Sequence, residues 1–371
     1  MPVKNFQIDR NSSLPLHRQV EAWLRQQIES GGLAPGESLP PRKEFSEMLG
    51  GINHLTIRQA VSTLAREGLL FSVQGRGTFV AEQKTRQLSI GVVLPNIDDE
   101  FTHSIASGVQ EYFEAGNKEG KSAVRTVLFD SRRDAQKEID NIAHLQDLPL
   151  DGAIILPVGY GNLVEHLVRL KVDHFPLVLV DSIISGIEFP SVASDNYNGG
   201  YLAAKHLLER GRTRLAWIGN CSGYFSARQR FEGFRDAIND GGHAYNRQWL
   251  FEHRVNTPTA PLEESMQEIV SRIVAEKMPL DGIICANDIE AIACLRLLQE
   301  KGVEVPGQIA VVGFDDIRDC TFVTPALTTI RQPMKEIGRE AARLLLESIT
   351  KPEEPLQNLI LPVTLIQRSS S

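Results

Sequence analysis

The sequence predicts an α/β protein in which a small helical N-terminal domain precedes a large, two-lobed domain with parallel sheets. From residue 88 onward, seven short apolar runs alternate with amphipathic helical stretches, an order typical of open parallel sheets covered by helices. The first eighty residues differ, because three helical patterns there precede two β-like runs. A chain of 371 residues has room for two or three domains. The alternating strand and helix pattern covers about 280 residues, which is more than one compact core usually holds, so we expect two lobes.

The N-terminal domain begins with a helix predicted from apolar residues at every fourth position, namely Leu16, Val20, Leu24 and Ile28. A second, short helix is expected in LPPRKEFSEMLGG, which starts with prolines and ends with glycines. The third helix, in NHLTIRQAVSTLAREGLL, takes Asn53 as its N-cap and buries Ile57, Val61 and Leu64.

Two β-like runs follow the third helix, in LLFSVQGRGTFVAE. The Gly-Arg-Gly stretch does not predict a dinucleotide site, because that motif requires a helix after the glycines. Here Thr78, Phe79 and Val80 favour a strand. The local prediction is therefore a hairpin with Arg76 at its tip. Three helices followed by such a ribbon form a winged helix-turn-helix, which we assign to residues 1–82.

The polar face of the third helix indicates DNA binding. His54, Thr56 and Arg58 lie at or near its N-terminus, where a recognition helix presents side chains to base edges. Arginine can bind guanine through two hydrogen bonds, and the helix N-terminus with the Thr56 hydroxyl can hold a phosphate. The alternative is an ordinary solvated helix face, and it is disfavoured because the hairpin with Arg76 at its tip follows this helix. Residues 1–82 carry a net charge of +1 in a chain of −8, so binding would need well-placed contacts.

Residues 14–81 resemble the DNA-binding domain of the GntR family. The matching stretches are PLHRQVEAWLRQQIESGGLAPGESLPPRKEFSEMLG, LTIRQAVSTLAREGLL and QGRGTFV. The resemblance implies DNA contacts at Lys43, His54, Arg58 and the wing tip Gln74-Gly75-Arg76. Lys43 and His54 replace the usual arginines, and the turn at Gly50-Gly51 is one residue longer than is usual in the family. Arg42 is therefore the alternative to Lys43.

Polar residues end many of the predicted strands in the large domain: Asp130, Asp181, Asn220, Asn287 and Asp315. Ligands of open α/β sheets bind beyond the carboxyl ends of the strands, and short carboxylates and amides there can bond several hydroxyls. Phe101, in the first loop after a strand, could lie against the apolar face of a sugar ring. For each polar residue the alternative is a helix cap or a turn. Their repetition at equivalent positions favours a ligand site.

Residues 89–368 resemble the effector domain of the LacI/GalR family, which is itself similar to periplasmic sugar-binding proteins. The resemblance rests on stretches such as SIGVVLPNIDDEF, LVLVDS, VASDNYNGGYLAAKHLLERG, SARQRFEGFRDA, VVGFDD and PALTTIRQPMKEIGREAARLLL. It implies ligand contacts at Asp99, Phe101, Asp181, Arg228, Asn287, Asp315 and Gln332. Ser182 stands where an arginine is common, and Asp99-Glu100 replaces a common Asn-Pro, so the ligand is left open.

The same resemblance sets the expected boundaries. A charged stretch with no apolar pattern predicts a linker over 83–88, and the resemblance implies an effector-binding and dimerisation domain over 89–371. Its first lobe would contain residues 89–193 and 333–353, and its second lobe residues 194–332 and 354–371. The last stretch, PLQNLILPVTLIQR, would then add a final strand to the second lobe.

Several other classes of protein are disfavoured by the sequence. The four cysteines are far apart, and neither they nor the nine histidines show metal-ligand spacing, so no metal or cofactor is expected. An enzyme is disfavoured, because no Gly-x-Ser-x-Gly or phosphate-binding Gly-Lys-Ser/Thr stretch occurs. No run of 18 apolar residues and no secretory signal is present. We therefore expect a cytoplasmic protein with no membrane segment.

A GntR-like head on a LacI-like body resembles the arabinose-repressor type of regulator. The resemblance implies a homodimer that binds a palindromic operator. It also implies that a small sugar, a monosaccharide bound in the cleft between the lobes, releases the protein from that operator. One alternative is a regulator for which the sugar acts as a co-repressor, or which acts as an activator. The others are a cytoplasmic sugar-binding protein and a sugar-processing enzyme.

Overall fold

The computed structural model describes residues 14–81, 87–118, 123–158, 163–183, 187–253, 262–351 and 357–371. The chain divides into two compact units, Met1–Arg86 and Gln87–Ser371, which we call the head and the body. Most of the predicted linker, residues 83–86, lies outside the described residues. Leu88 is the first residue of a strand rather than part of that linker. Within the described ranges, no helix is long and apolar enough to cross a membrane.

The head contains three helices and a two-stranded antiparallel sheet, as the sequence predicted. Its elements are α1 (Leu16–Glu29), α2 (Arg42–Met48), α3 (His54–Arg66), β1 (Leu70–Val73) and β2 (Gly77–Val80). Asn53 caps α3, because its side chain accepts a hydrogen bond from the Leu55 amide. Val20 and Leu24 of α1 pack against Leu64 of α3 in the head's own buried core. A winged helix-turn-helix is therefore confirmed.

The body alternates strands and helices along the chain. Its elements in order are β3 (Leu88–Leu94), α4 (Glu100–Lys118), β4 (Val124–Asp130), α5 (Ala135–Ala143), β5 (Gly152–Ile155), α6 (Leu163–Val172), β6 (Leu177–Val180), β7 (Ser191–Ser194), α7 (Asn196–Glu209), β8 (Leu215–Ile218), α8 (Phe225–Asp240), β9 (Leu250–Phe251), α9 (Leu262–Ala275), β10 (Gly282–Cys285), α10 (Asp288–Glu300), β11 (Ala310–Asp315), β12 (Thr328–Arg331), α11 (Met334–Thr350), β13 (Asn358–Leu361) and β14 (Thr364–Ile366).

These strands form two six-stranded sheets, each of which defines a lobe. The first lobe has the strand order β13-β7-β6-β5-β3-β4, and the second has β14-β12-β11-β10-β8-β9. All pairings are parallel except that of β14 with β12. Every residue of β3, β5, β6, β8 and β10 is buried, because helices cover both faces of these sheets. The predicted α/β fold with parallel sheets is confirmed.

The C-terminal stretch departs from the predicted lobe assignment. β13 pairs in parallel with β7 of the first lobe, and only β14 joins the second lobe. Placing the whole of 354–371 in the second lobe was therefore wrong for residues 358–361. Pro362 explains the break, because a proline has no amide hydrogen to continue a strand ladder. The chain changes lobes after Leu361, so one apolar run supplies a strand to each sheet.

Candidate functional site

A cavity of about 200 Å³ lies between the two lobes of the body. Its wall is built from residues at or beyond the carboxyl ends of eight strands, four from the first lobe (β3, β4, β5 and β6) and four from the second (β8, β9, β10 and β11). The predicted residues Asp99, Phe101, Asp181, Asn287 and Asp315 all line it. Asn220 lines it too, whereas Asp130 is not part of this wall. The carboxyl ends of parallel strands thus converge on one cleft.

Arg230, on α8, is the central cation of the cavity. Its guanidinium lies 3.8 Å from the carboxylate of Asp181 in the first lobe and 3.8 Å from that of Asp315 in the second. It donates hydrogen bonds to the Asn196 side chain at 2.7 Å and to the Ala286 carbonyl at 2.6 Å. All of this is buried, because the Arg230 side chain is only 6% exposed. One side chain therefore connects the two lobes at the base of the cleft.

Close packing of α7 on α8 positions Arg230. A Cβ atom at Gly200 would lie 1.8 Å from the Arg230 carbonyl oxygen, so only glycine permits this helix crossing. A Cβ atom at Gly199 would lie 2.5 Å from the Phe314 ring, and the Arg230 guanidinium stacks on that ring at 3.7 Å. The Gly-Gly pair of α7 therefore sets the depth at which the guanidinium enters the cavity.

Arg228, which the family resemblance selected, does not line the cavity. Its side chain is exposed, and its guanidinium lies 5.8 Å from the centre of the Phe225 ring. Two residues along a helix correspond to a rotation of about 200°, so Arg228 and Arg230 point to opposite sides of α8. We therefore replace Arg228 by Arg230 in the set of candidate ligand contacts.

Asp315 is held in place from behind by Gln332. The Gln332 amide donates a 2.6 Å hydrogen bond to Asp315, but Gln332 itself is buried and is not part of the cavity wall. Its predicted direct contact with a ligand is therefore replaced by a supporting role. Burial raises the pKa of Asp315 well above its usual range, and the nearby charge of Arg230 opposes that rise.

Arg133 is a cavity residue that the sequence patterns did not reveal. It lies in the loop after β4 with a positive φ of 58°, and its guanidinium grips both carboxylate oxygens of Asp99, at 2.6 and 2.7 Å. Asp99 is therefore committed to an ion pair within the first lobe. The only signal in the sequence was the pair Arg132-Arg133 just beyond the strand end at Asp130. Nothing in that pair indicates which arginine turns inward.

Aromatic side chains from both lobes contribute the apolar part of the wall. Phe101 comes from the first lobe, and Tyr224, just before α8, comes from the second. Burial raises the pKa of the Tyr224 hydroxyl to about 12, so this group stays protonated at neutral pH and can donate a hydrogen bond. Leu156, Ile289 and Ile317 are among the other apolar residues of the wall. Such a wall suits the C–H face of a small polar ring.

Asn287 combines the two roles that the sequence left open. Its side chain caps α10 by accepting from the Glu290 amide at 2.9 Å, and it also lines the cavity. The Glu290 carboxylate in turn accepts from the Asn287 amide group, the Ala286 backbone and His253. This network holds the second-lobe wall rigid. Among the described residues, no cluster of His, Cys, Asp and Glu could hold a metal ion.

The candidate DNA-reading residues lie on the surface of the head. The side chains of Lys43, His54, Arg58, Gln74 and Arg76 are exposed, as is Gly75, and that of Thr56 is half-buried. Arg42 begins α2, and its side chain lies outside the described residues.

The wing tip is a tight turn between β1 and β2. The Arg76 amide donates to the Val73 carbonyl at 3.0 Å, and Gly75 has a φ of 77°, which favours glycine. Arg76 therefore projects from the end of the ribbon, beside a residue without a side chain.

An exposed helix-turn-helix surface and a buried polar cleft on one chain define a class of protein, the ligand-responsive transcriptional regulators. Comparison with known proteins agrees with this class. Residues 16–80 match the family of bacterial regulatory proteins called gntR, and residues 204–371 match the periplasmic binding protein-like domain. The chain thus joins a GntR-type DNA-binding domain to a periplasmic binding protein-like domain, and it is a DNA-binding transcriptional regulator.

Individual relatives match either nearly the whole chain or about three quarters of it. The arabinose metabolism transcriptional repressor of Geobacillus stearothermophilus is 29% identical, over 98% of this chain and 99% of its own length. A LacI family regulator from Enterococcus faecium, solved with bound ribose, is 26% identical with a TM-score of 0.64, over 76% of this chain and 98% of its own. The regulator CcpA of Lactococcus lactis shares the fold, with 23% identity and a TM-score of 0.68, over 77% of this chain and all of its own.

Proposed function

We propose that this chain is a homodimeric repressor that leaves a palindromic operator when a monosaccharide binds between the lobes of its body. One observation carries the proposal. Arg230 stands between carboxylates of opposite lobes, Asp181 and Asp315, in a cavity to which both lobes contribute. A ligand there touches both lobes at once, so it favours the closed arrangement over the open one.

A sugar suits this cavity because polar and apolar walls face the same space. Asp181, Asp315 and Arg230 can exchange hydrogen bonds with hydroxyl groups, while Phe101 and Tyr224 offer ring surfaces. Related proteins support this ligand class. One is named for arabinose metabolism, and another was solved with ribose. The proposed action is binding without chemical conversion, in the cytoplasm, where operator DNA lies.

The proposed coupling between sugar and DNA uses two-fold symmetry. One winged helix covers a half-site, and a dimer presents two heads to the two halves of a palindrome. Closure of the lobes changes the relation between the two bodies, so both heads no longer match their half-sites together. Coupling of this kind is reciprocal, so operator must weaken sugar binding by the same factor that sugar weakens operator binding.

The test is a fluorescence anisotropy titration with labelled promoter DNA from beside the protein's own gene. Addition of L-arabinose, D-ribose and other monosaccharides, one at a time, should release the DNA for at least one sugar, with a coupling of about 5–150-fold. Tighter binding on adding sugar would replace induction by co-repression. No response to any sugar would refute the proposal. Sedimentation should show a dimer at micromolar concentration, and a monomer with and without DNA would contradict that part.

A further inference from the structure

We propose that the cavity selects uncharged sugars and rejects their phosphate esters and acids. This inference rests on the proposed function, because it names the ligand class of the same cavity. The carboxylates that line the described cavity outnumber its basic groups: Asp99, Glu100, Asp181, Glu290 and Asp315 stand against the guanidiniums of Arg133 and Arg230 and the imidazole of His253. An anionic ligand would therefore enter a field that already carries excess negative charge.

Neither guanidinium is available to a phosphate without competition. Arg133 is held by both oxygens of Asp99, and Arg230 lies between Asp181 and Asp315. A phosphate approaching either cation would come within a few ångströms of its carboxylate partners. These partners are poorly solvated, with Asp99 19% exposed, Asp181 9% and Asp315 10%. Water screens such repulsion weakly.

Protonation of Asp315 does not reverse the balance. Burial raises the pKa of this carboxyl group, and a neutral Asp315 would still leave four carboxylates against two guanidiniums and one imidazole. A protonated Asp315 could donate to a sugar hydroxyl, which again favours a neutral polyol.

Two of the helix N-termini at the cavity, those of α4 and α10, offer a phosphate little help. A helix N-terminus normally attracts anions, through its free amide groups and its dipole. Here α4 carries the carboxylate of Glu100 in its first turn, and α10 is capped by Asn287 with Glu290 also in its first turn. The Glu290 carboxylate accepts a hydrogen bond from the Ala286 amide at 3.1 Å. These two sites of positive potential are thus met by the protein's own acidic groups, whereas α8, whose Ser226 and Ala227 also line the cavity, has no acidic residue in its first turn.

The test is calorimetry of the full-length protein with matched pairs: D-ribose and D-ribose 5-phosphate, D-glucose and D-glucose 6-phosphate, and D-arabinose and D-arabinose 5-phosphate, with L-arabinose as an additional neutral sugar. For any pair whose neutral member binds, the phosphate should bind at least about 100-fold more weakly. The reason is that like charges placed together in a desolvated site lower the affinity by orders of magnitude. A phosphate that binds as tightly as its neutral partner, or more tightly, overturns the inference and leaves the sugar-effector proposal standing. If no member of any pair and no L-arabinose binds, both proposals fall.

Two substitutions test the electrostatic cause separately. Glu100→Gln removes a rim charge but keeps an oxygen acceptor, and it should raise the affinity for the phosphate relative to its neutral partner about fivefold. Asp181→Asn, at a more buried position, should raise the same ratio by at least about tenfold. Glu114→Gln on the exposed part of α4 is the control, and it should leave the ratio unchanged. Unchanged ratios in both cavity variants would overturn the electrostatic explanation.

Discussion

The guanidinium of Arg230 lies 3.8 Å from the carboxylate of Asp181, although the first residue belongs to the second lobe and the other to the first lobe. The side chains are 6% and 9% exposed, so this ion pair is buried at the base of the cleft. It links the lobes at the place where the proposed ligand would bind. Substitutions here should therefore affect both the stability of the body and effector binding.

Arg230→Ala should abolish measurable sugar binding and destabilise the body by about 3–5 kcal/mol, because two buried carboxylates lose their partner. Arg228→Ala is the matched control on the same helix. Since Arg228 is exposed, its loss should change stability by no more than about 0.5 kcal/mol and leave sugar affinity unchanged. Chemical denaturation and calorimetry would measure both effects. A larger loss of sugar affinity in the Arg228 variant would restore the assignment made from the sequence.

Asp315→Asn should leave the repressor on its operator at sugar concentrations that release the wild type. The substitution keeps the shape of the side chain and an oxygen that can accept from Gln332, but it removes the carboxylate that faces Arg230. Operator affinity without sugar should stay near the wild-type value. Anisotropy titrations with the releasing sugar would measure this, and an unchanged half-release concentration would contradict the assignment of Asp315 to the site.

Arg58 and Arg76 should affect operator recognition differently. Arg58→Ala should cost about 1–3 kcal/mol and relax base preference, as expected for loss of a two-hydrogen-bond contact to a base. Arg76→Ala should weaken operator binding with a smaller change in preference, because a wing tip meets phosphates or the minor groove. Arg66→Ala, in the last turn of α3, removes the same charge from the far end of that helix. Competition binding with operator variants would separate these effects, and three equal losses would indicate charge alone.

Glu100 should stabilise the closed cleft. Its carboxylate accepts a 2.9 Å hydrogen bond from the Arg318 amide of the second lobe. The loop that presents this amide is fixed, because the Ile317 amide donates to Asp288 and the Asp316 carboxylate binds Arg331. Glu100→Ala should therefore weaken binding of a neutral sugar by about 0.5–1.5 kcal/mol.

Glu100→Gln serves as the comparison for that prediction, because its amide oxygen can still accept from Arg318. It should lose less neutral-sugar affinity than Glu100→Ala. Calorimetry with the same sugar would compare them. Equal losses in the two variants would indicate that the charge, and not the hydrogen bond between lobes, is responsible.

The body should become less stable as the pH rises from about 4.5 to 7, through Glu138. This side chain is 3% exposed and accepts a 2.7 Å hydrogen bond from the Val158 amide, and burial raises its pKa to about 7. Between its unfolded and folded pKa values, the folded state keeps a proton that the unfolded state has lost. Unfolding is therefore increasingly favoured as the pH rises through that window.

Glu138→Gln should remove this dependence. A neutral amide keeps an acceptor for Val158, so the variant should be about 1–3 kcal/mol more stable than wild type above pH 7, with the gap closing toward pH 4.5. Denaturant titrations between pH 4.5 and 8 would measure the difference. A gap that does not vary with pH would rule out titration of Glu138 as the cause.

Local patterns in the sequence were sufficient to predict the elements of this protein and the kind of surface that its head presents. Apolar spacing of four, the Asn53 cap and the glycines around Arg76 act over a few residues, so their consequences can be predicted without the rest of the fold. The strand-end rule likewise led to Asp181, Asn287 and Asp315, because the carboxyl ends of parallel strands must converge. Phe101 followed from its place in the first loop after a strand, and Asp99 from the family resemblance of that loop.

Tertiary structure alone decided which arginines face the cleft and which lobe receives the last strands. Arg228 and Arg230 share one motif, and only the packing of α7 on α8 through Gly200 turns Arg230 inward. Arg133 reaches Asp99 from a loop 34 residues away along the chain, a contact that no local pattern encodes. The strand at 358–361 pairs with one that lies far earlier in sequence. These outcomes depend on helical phase and on contacts between distant elements, which become fixed only when the two sheets are assembled.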